Sequence, residues 1–261
     1  MTKNLRMSPL LELKEVSRKF GGLKAVDNVS FNVEDDEILG IIGPNGAGKT
    51  TLFNLLSGFL KLSHGEIIYQ GKSIKGLKPY AIAKKGIVRT FQQNNLYQGE
   101  TVLSNVMLAC RLQDRVGFWG TLFNLYSYRR EEEEKKKRAM EIISLIGLQN
   151  NMNNLAGALS HGQARLLGIA MALACNPTVL LLDEPASGLG LEEMHMLMNR
   201  IREIKEKGIT VVLVEHEMRM VMKLCDRLIV LNFGRKTAQG TPEEIKGNKE
   251  VIEAYLGEEQ K

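Results

Sequence analysis

The spacing of apolar and polar positions changes three times along this chain, and each change predicts a different kind of structure. Near the start, Leu11, Leu13 and Val16 stand among polar neighbours, and Val29, Phe31 and Val33 alternate with Ser30 and Asn32. A period of two predicts strands, with Gly21-Gly22 as a turn between them. The apolar run Ile38 to Ile42 predicts a buried strand, and Thr51 to Leu56 the start of a helix. Glu66 to Gln70 predicts a strand closed by Gly71, Pro79 to Lys85 a short helix, and Ile87 to Thr90 another short strand.

From Thr101 to Gly147 no comparable strand pattern occurs. Two helices are predicted there, Val102 to Arg111 and Glu131 to Ile146, forming a helical subdomain. The second opens with Glu131 to Glu134 and continues with Lys135 to Arg138, so each acid faces a base one turn later. That arrangement predicts a water-facing helix surface, and no binding role is assigned to it.

After Thr178 strands and helices alternate: Val179 to Leu182, Leu191 to Lys205, Ile209 to Val214, Met218 to Leu224 and Leu228 to Leu231. This rhythm predicts an α/β architecture built on a mostly parallel sheet. Thr241, Pro242 and Glu244 supply an N-cap, a first-turn proline and an acid at the third position, so a closing helix follows. The domain reading is one unit over 1–261. Its core comes from about 1–92 and 165–261, and the helical subdomain from about 93–164.

Composition narrows the setting. Among 261 residues, Lys and Arg number 35 against 30 acids, an excess too mild to imply nucleic acid by itself. Cys110, Cys175 and Cys225 are odd in number and far apart, which argues against a disulfide framework or a cysteine metal site and suits a reducing compartment. No secretory leader pattern opens the chain, and no run approaches the ~18 apolar residues of a membrane span. The expectation is a cytoplasmic protein, unless a partner holds it at a membrane.

The strongest chemical signal is GPNGAGKT: Gly43, Pro44, Asn45, Gly46, Ala47, Gly48, Lys49 and Thr50, followed by Thr51. It matches the phosphate-binding loop G-x-x-x-x-G-K-[ST] and lies between a predicted strand and a predicted helix. The glycines let backbone N–H groups approach phosphate oxygens at the positive end of the helix. Lys49 then reaches the β- and γ-phosphates, and Thr50 can ligate Mg²⁺.

Two further strands end in polar chemistry. Leu182 is followed by Asp183-Glu184 and Val214 by Glu215-His216, and ligands of open α/β sheets sit at such carboxyl ends. The three strand ends are therefore expected to meet at one nucleotide. Asp183 could hold Mg²⁺ opposite Thr50, and Glu184 could orient or deprotonate an attacking water. Without the loop, Asp-Glu-Pro would read as an ordinary turn. Before the apolar helix Ala164 to Cys175, Ser160 and Gln163 form a capping box, which also leaves a helix N-terminus suited to phosphate. The segment Gly117 to Arg130 holds Phe118, Trp119, Phe123, Tyr126 and Tyr128, five of the fifteen aromatic residues. Both a satellite hydrophobic cluster and a partner-contact surface account for it.

On these motifs the chain resembles the ATP-binding cassette (ABC) family over roughly residues 10 to 257. The P-loop matches, LSHGQ at Leu159 to Gln163 resembles the LSGGQ signature, VLLLDEP at Val179 to Pro185 the Walker B strand, and His216 the switch histidine. The fold so implied is an α/β P-loop NTPase-type cassette with a mostly parallel core sheet, an antiparallel β subdomain and a helical subdomain. The resemblance also implies that Phe20 stacks on adenine and that Gln92, in RTFQQ, links Mg²⁺ and the attacking water to the helical subdomain. It implies two cassettes, identical or different, sandwiching two ATP molecules, with Ser160 and Gly162 of one facing the γ-phosphate held by Lys49 of the other, and Gln163 also among the ATP-binding residues. Two departures stand out. Gly190 occupies the last D-loop position, commonly Asp, and His161 replaces the first glycine of the signature.

GIVRTFQ at Gly86 to Gln92, the aromatic insertion and AYLGE at Ala254 to Glu258 resemble most closely the ATP-binding subunits of branched-chain amino acid importers. Transmembrane permease subunits and, indirectly, a solute-binding protein are then the expected partners. The location is peripheral on the inner face of the cell membrane, and no nucleic acid is expected. Urea and amide importers have similar subunits. A different class, soluble ABC ATPases of assembly or nucleic-acid maintenance, often carries two cassettes or a long coiled-coil insertion, and this sequence has neither.

Overall fold

The structure is a computed structural model that describes residues 8–90, 96–111, 125–248 and 251. Two sheets organise it. The first is antiparallel, in the order β2-β1-β4-β5, from β1 (Leu11–Phe20), β2 (Leu23–Val33), β4 (His64–Tyr69) and β5 (Lys72–Ser73). The second has the order β10-β9-β3-β8-β7-β6, from β3 (Ile38–Ile42), β6 (Ile87–Arg89), β7 (Val179–Asp183), β8 (Thr210–Val214), β9 (Arg227–Asn232) and β10 (Arg235–Gly240). All its pairs are parallel except β9 with the edge strand β10.

The described helices are α1 (Lys49–Leu56), α2 (Pro79–Lys85), α3 (Val102–Arg111), α4 (Leu125–Leu145), α5 (His161–Ala174), α6 (Leu191–Glu206), α7 (Met218–Leu224) and α8 (Pro242–Lys246). Strands β3, β7 and β8 are buried at every position, as strands covered on both faces must be. The pleat divides their side chains between two cores. Leu39, Ile41, Leu181, Val212 and Val214 pack with Phe53 of α1 and with Leu13, Val29 and Phe31 of the antiparallel sheet. Ile38, Ile42, Leu180, Leu182 and Leu213 pack instead with Ile143, Leu167 and Ile201 of the helices α4, α5 and α6. One buried sheet thus carries an antiparallel layer on one face and a helical layer on the other.

The expected elements are present, with informative shifts. Helix α4 begins at Leu125, ahead of its acidic run, and Arg130 pairs with Glu134 at 3.3 Å on its exposed side. Helix α5 begins at His161 because Ser160 caps it: the Ser160 hydroxyl accepts from Gln163 N and the Gln163 side chain accepts from Ser160 N. Thr241 and Glu244 build the same reciprocal box at α8. Strands β5 and β10 were not anticipated. β10 is a mostly exposed edge, Arg-Lys-Thr-Ala-Gln-Gly, whose polarity leaves no alternation to detect. Gln92, Phe118, Trp119, Phe123 and residues 254–258 lie outside the described residues.

Because β8 lies between β3 and β7, the polar ends of these three strands are neighbours. That adjacency assembles the site.

Candidate nucleotide-binding site

The chain leaves β3 through Gly43, at φ +151°, where a Cβ would lie 2.1 Å from the carbonyl oxygen of Leu231 on β9. Gly48, at φ +99°, caps α1, and a Cβ there would lie 2.3 Å from the Ala25 carbonyl oxygen. Neither position has room for a side chain, so the loop lies tightly against β2 and the β9–β10 turn. Hydrogen bonds hold it there: Gly234 N donates to Ala47 O at 3.0 Å, and Asp27 N to Gly234 O at 2.8 Å. Lys49, buried as the first residue of α1, folds over the loop and donates to Gly43 O at 2.6 Å and Pro44 O at 2.9 Å. Its ammonium is therefore held at the loop, where a phosphate would compete for the same donors.

Above the loop lies an open cavity of 460 Å³. Residues 45–51 form its floor, and Phe20, Leu23, Phe233 and Glu184 line its walls. Phe20 is 43% exposed and its ring is met by the Arg18 guanidinium at 4.6 Å from the centroid, leaving an aromatic surface in the cavity. Phe233 was not anticipated. It is 86% exposed and held at φ +45° in the β9–β10 turn, a conformation that costs a bulky residue about 1 kcal/mol or more.

Glu184 also has a left-handed backbone, φ +47°, while its N–H donates to Val214 O at 2.9 Å. The turn this produces at the end of β7 places Glu184 in the cavity wall, and Asp183, one residue earlier, remains in the core. Asp183 is 3% exposed. Its Oδ2 accepts from Arg89 Nη2 at 2.6 Å, whereas its Oδ1 is buried with no hydrogen-bond partner among the described residues. A buried acceptor left unmatched calls for a ligand. That oxygen and the hydroxyl of Thr50, an exposed residue on the cavity floor, are hard oxygen donors of the kind that suit Mg²⁺.

At the end of β8 a second carboxylate does structural work. Glu215 is fully buried; Oε1 accepts from Ala186 N at 2.6 Å and Oε2 from His216 N at 3.1 Å. It thereby ties the turn after Glu184 to the turn carrying His216. Burial pushes its pKa up, against the opposing pull of those N–H groups. His216 itself is 58% exposed on its side chain and is absent from the cavity lining.

Ser160, Gly162 and Gln163 do not line this cavity either. They sit at the start of α5, where His161 Nε2 lies 3.3 Å from Ser187 O and a Cβ on Gly162 would lie 2.5 Å from Glu193 Oε1. Glu193 in turn accepts from the N–H of Gly190 at 3.2 Å. The signature segment is thus coupled to the D-loop of its own chain and separate from its own P-loop cavity. Sequence reasoning missed three participants: Arg89, Glu215 and Phe233. Only Glu215 left a trace, as a charge directly following an apolar strand.

Known proteins of similar sequence and fold point to one family. The model of the ABC transporter family matches residues 26–187, and that of the branched-chain amino acid ATP-binding cassette transporter matches residues 238–261. The chain is 41% identical to the high-affinity branched-chain amino acid transport ATP-binding protein BraF of Pseudomonas aeruginosa, over 96% of this chain and 98% of that one. It is 42% identical, with the same coverage, to LivG of Escherichia coli, which bears the same description. Among solved structures, an ATP-binding cassette of an ABC transporter in its ADP conformation superposes with a TM-score of 0.84 at 33% identity, over 96% of this chain and 100% of that one. A dimeric cassette in a post-hydrolysis state with ADP and Pi gives 0.73 at 29% identity, over 89% and 98%. Its loop, its strand ends and its relatives together place the chain in the ABC transporter family, as one of that family's ATP-binding cassettes.

Proposed function

We propose that this chain is the ATP-hydrolysing subunit of an importer for branched-chain amino acids. The observation that carries the reading is the single cavity in which the P-loop, Thr50 and Glu184 converge, with the unmatched Asp183 Oδ1 at the end of β7, one residue before Glu184. The relatives named above supply the solute class.

In this reading adenine lies against Phe20, and the N–H groups of residues 45–51 cradle the phosphates. Lys49 exchanges its bonds to Gly43 O and Pro44 O for phosphate oxygens, so a pre-positioned charge meets the anion. Mg²⁺, held by Thr50 and Asp183 with Gln92, would supply charge neutralisation of the triphosphate. Glu184 orients a water toward the γ-phosphorus and accepts its proton. The water oxygen bonds to phosphorus as the bond to the β-phosphate oxygen breaks, releasing ADP and phosphate. His216, on a turn fixed by Glu215, faces the same reaction from the β8 end once the nucleotide is enclosed.

Enclosure requires a second cassette, homologous or identical, whose Ser160, Gly162 and Gln163 meet the γ-phosphate held here. ATP then acts as an interface component, and its hydrolysis releases the pair. Transmembrane permease subunits convert that cycle into uptake, fed by a solute-binding protein. This assigns the chain to the inner face of the cell membrane. No described helix is long and apolar enough to cross a membrane, so permease segments would come from other chains.

The test is to purify the tagged chain from gently solubilised membranes, identify the co-purifying subunits and reconstitute them in vesicles. Uptake of leucine, isoleucine or valine that requires ATP on this chain's side supports the reading. Uptake of urea or an amide alone would replace the solute, and recovery with soluble assembly factors only would overturn transport.

A further inference from the structure

We propose that Arg89 is a positioning residue that fixes Asp183 and the P-loop helix as one metal-binding unit; this rests on the reading of Asp183 and Thr50 as metal ligands. Arg89 is the last residue of β6, and its side chain is 7% exposed. Its guanidinium reaches two other elements, β7 and α1. Nη2 donates to Asp183 Oδ2 on β7 at 2.6 Å, and Nη1 donates to Asn54 Oδ1 on α1 at 2.7 Å and to Oγ of its C-cap residue Ser57 at 3.1 Å. The guanidinium also lies 5.6 Å from the centroid of Phe53, so the plane of the fork is set by packing as well as by hydrogen bonds.

Each anchor has a bearing on the metal site. Asn54 lies one turn below Thr50 on the same face of α1, so holding Asn54 holds the helix that carries the hydroxyl. Gripping Oδ2 fixes the rotation of the Asp183 carboxylate and leaves Oδ1 as its unmatched acceptor. Beyond Arg89, Thr90 N donates to Leu181 O at 2.9 Å, so the strand is pinned to β7 immediately before the chain departs toward Gln92. One side chain therefore sets the spacing between the elements that carry Thr50 and Asp183.

A purely structural role accounts poorly for a charge in this place. A buried ion pair is a weak source of stability, because desolvation offsets the attraction and an apolar replacement is often as good. A planar fork with several donors is what simultaneous contact with a carboxylate, an amide and a hydroxyl demands, and a lysine ammonium cannot reproduce that geometry. Residues that orient metal ligands in this way typically account for about 10–100-fold in metal affinity.

The test titrates Mn²⁺, as a paramagnetic stand-in for Mg²⁺, into the full-length ATP-loaded protein carrying Glu184→Gln, reading bound metal by electron paramagnetic resonance. Binding of a fluorescent ATP analogue in EDTA reports nucleotide affinity without metal. Arg89→Lys is expected to weaken Mn²⁺ about 10–100-fold while changing metal-free nucleotide affinity less than about 3-fold. Equal losses in both assays, or unchanged Mn²⁺ affinity, would overturn the proposal. Should Arg89→Lys fail to fold, Asn54→Leu decides: it keeps the ion pair and removes one anchor, and a loss of Mn²⁺ affinity without loss of metal-free binding supports the proposal, while unchanged affinity refutes it. Asp183→Asn separates the two levels. If it leaves Mn²⁺ binding intact, the metal reading itself fails; if it weakens binding and Arg89→Lys does not, only the role of Arg89 fails.

Discussion

Glu215 shows how a residue outside the motif set governs two residues inside it. Its carboxylate is enclosed by the N–H groups of Ala186, His216 and Glu217, and the His216 ring and the buried Cys225 thiol are the titratable groups facing it. Burial is the largest influence and raises its pKa above the ordinary 4.5. The folded chain therefore keeps the proton to higher pH than the unfolded chain does. The stability this confers is complete below about pH 4.5 and is lost as pH rises through the folded value. The unfolding free energy of the wild type minus that of Glu215→Gln should accordingly fall as pH rises above about 4.5, as measured by urea unfolding. A difference that is flat or rises with pH would contradict the assignment. The sequence could not reveal this role, nor that of Arg89, because each depends on one partner far away along the chain: Glu215 meets Ala186 at a separation of 29 residues and Arg89 meets Asp183 at 94. Lys49, Thr50 and Glu184 were legible because their chemistry is carried by neighbours in sequence. Phe233 fell between these cases, an aromatic in a turn whose value lies only in the cavity it faces.

At the scale of elements, periodicity identified what packing enforces. Strands β3, β7 and β8, helices α2, α3 and α7, and both capping boxes follow from local patterns that agree with their tertiary surroundings. The polar edge β10 and the two-residue β5 escaped because pairing, not patterning, makes them strands. The link between the start of α5 and the start of α6 was equally hidden, and it leads to a prediction. A methyl group on Gly162 would collide with Glu193, whose carboxylate holds the Gly190 N–H. Gly162→Ala should cost about 0.5–1.5 kcal/mol, because the Glu193 side chain can swing aside but loses its bond to the Gly190 N–H in doing so. The same substitution in a Glu193→Ala background should cost distinctly less, since contacting residues are non-additive. Urea denaturation of the four-member cycle measures this, and strict additivity would show that Glu193 moves aside freely. Because Gly190 carries no side chain, this contact of Glu193 with its backbone is a route by which the signature segment reaches the D-loop.

For the whole molecule the decisive fact is a separation. The cavity built on the P-loop contains Glu184 but none of Ser160, Gly162 or Gln163, which sit at the start of α5, near Ser187, with Ser160 exposed and Gly162 buried. If, as proposed, these two parts form the halves of one ATP site, their separation within the chain suits pairing, each copy completing the other. Glu184→Gln should therefore trap ATP and shift the 29.2 kDa chain to about twice that mass in size-exclusion chromatography with light scattering. Hydrolysis should fall at least ~100-fold, the typical contribution of a general base. Adding Ser160→Arg tests the geometry itself. Ser160 is exposed and absent from the lining of its own cavity, so the double variant should bind ATP with unchanged Kd and yet remain a monomer, at a cost in stability of about 1 kcal/mol from the lost cap. A double variant that still pairs would remove Ser160 from the interface. One that loses ATP binding together with pairing would place Ser160 at its own chain's nucleotide. If Glu184→Gln binds ATP but never pairs, the second cassette must be a different chain, and the same Ser160→Arg comparison then applies to the mixed pair.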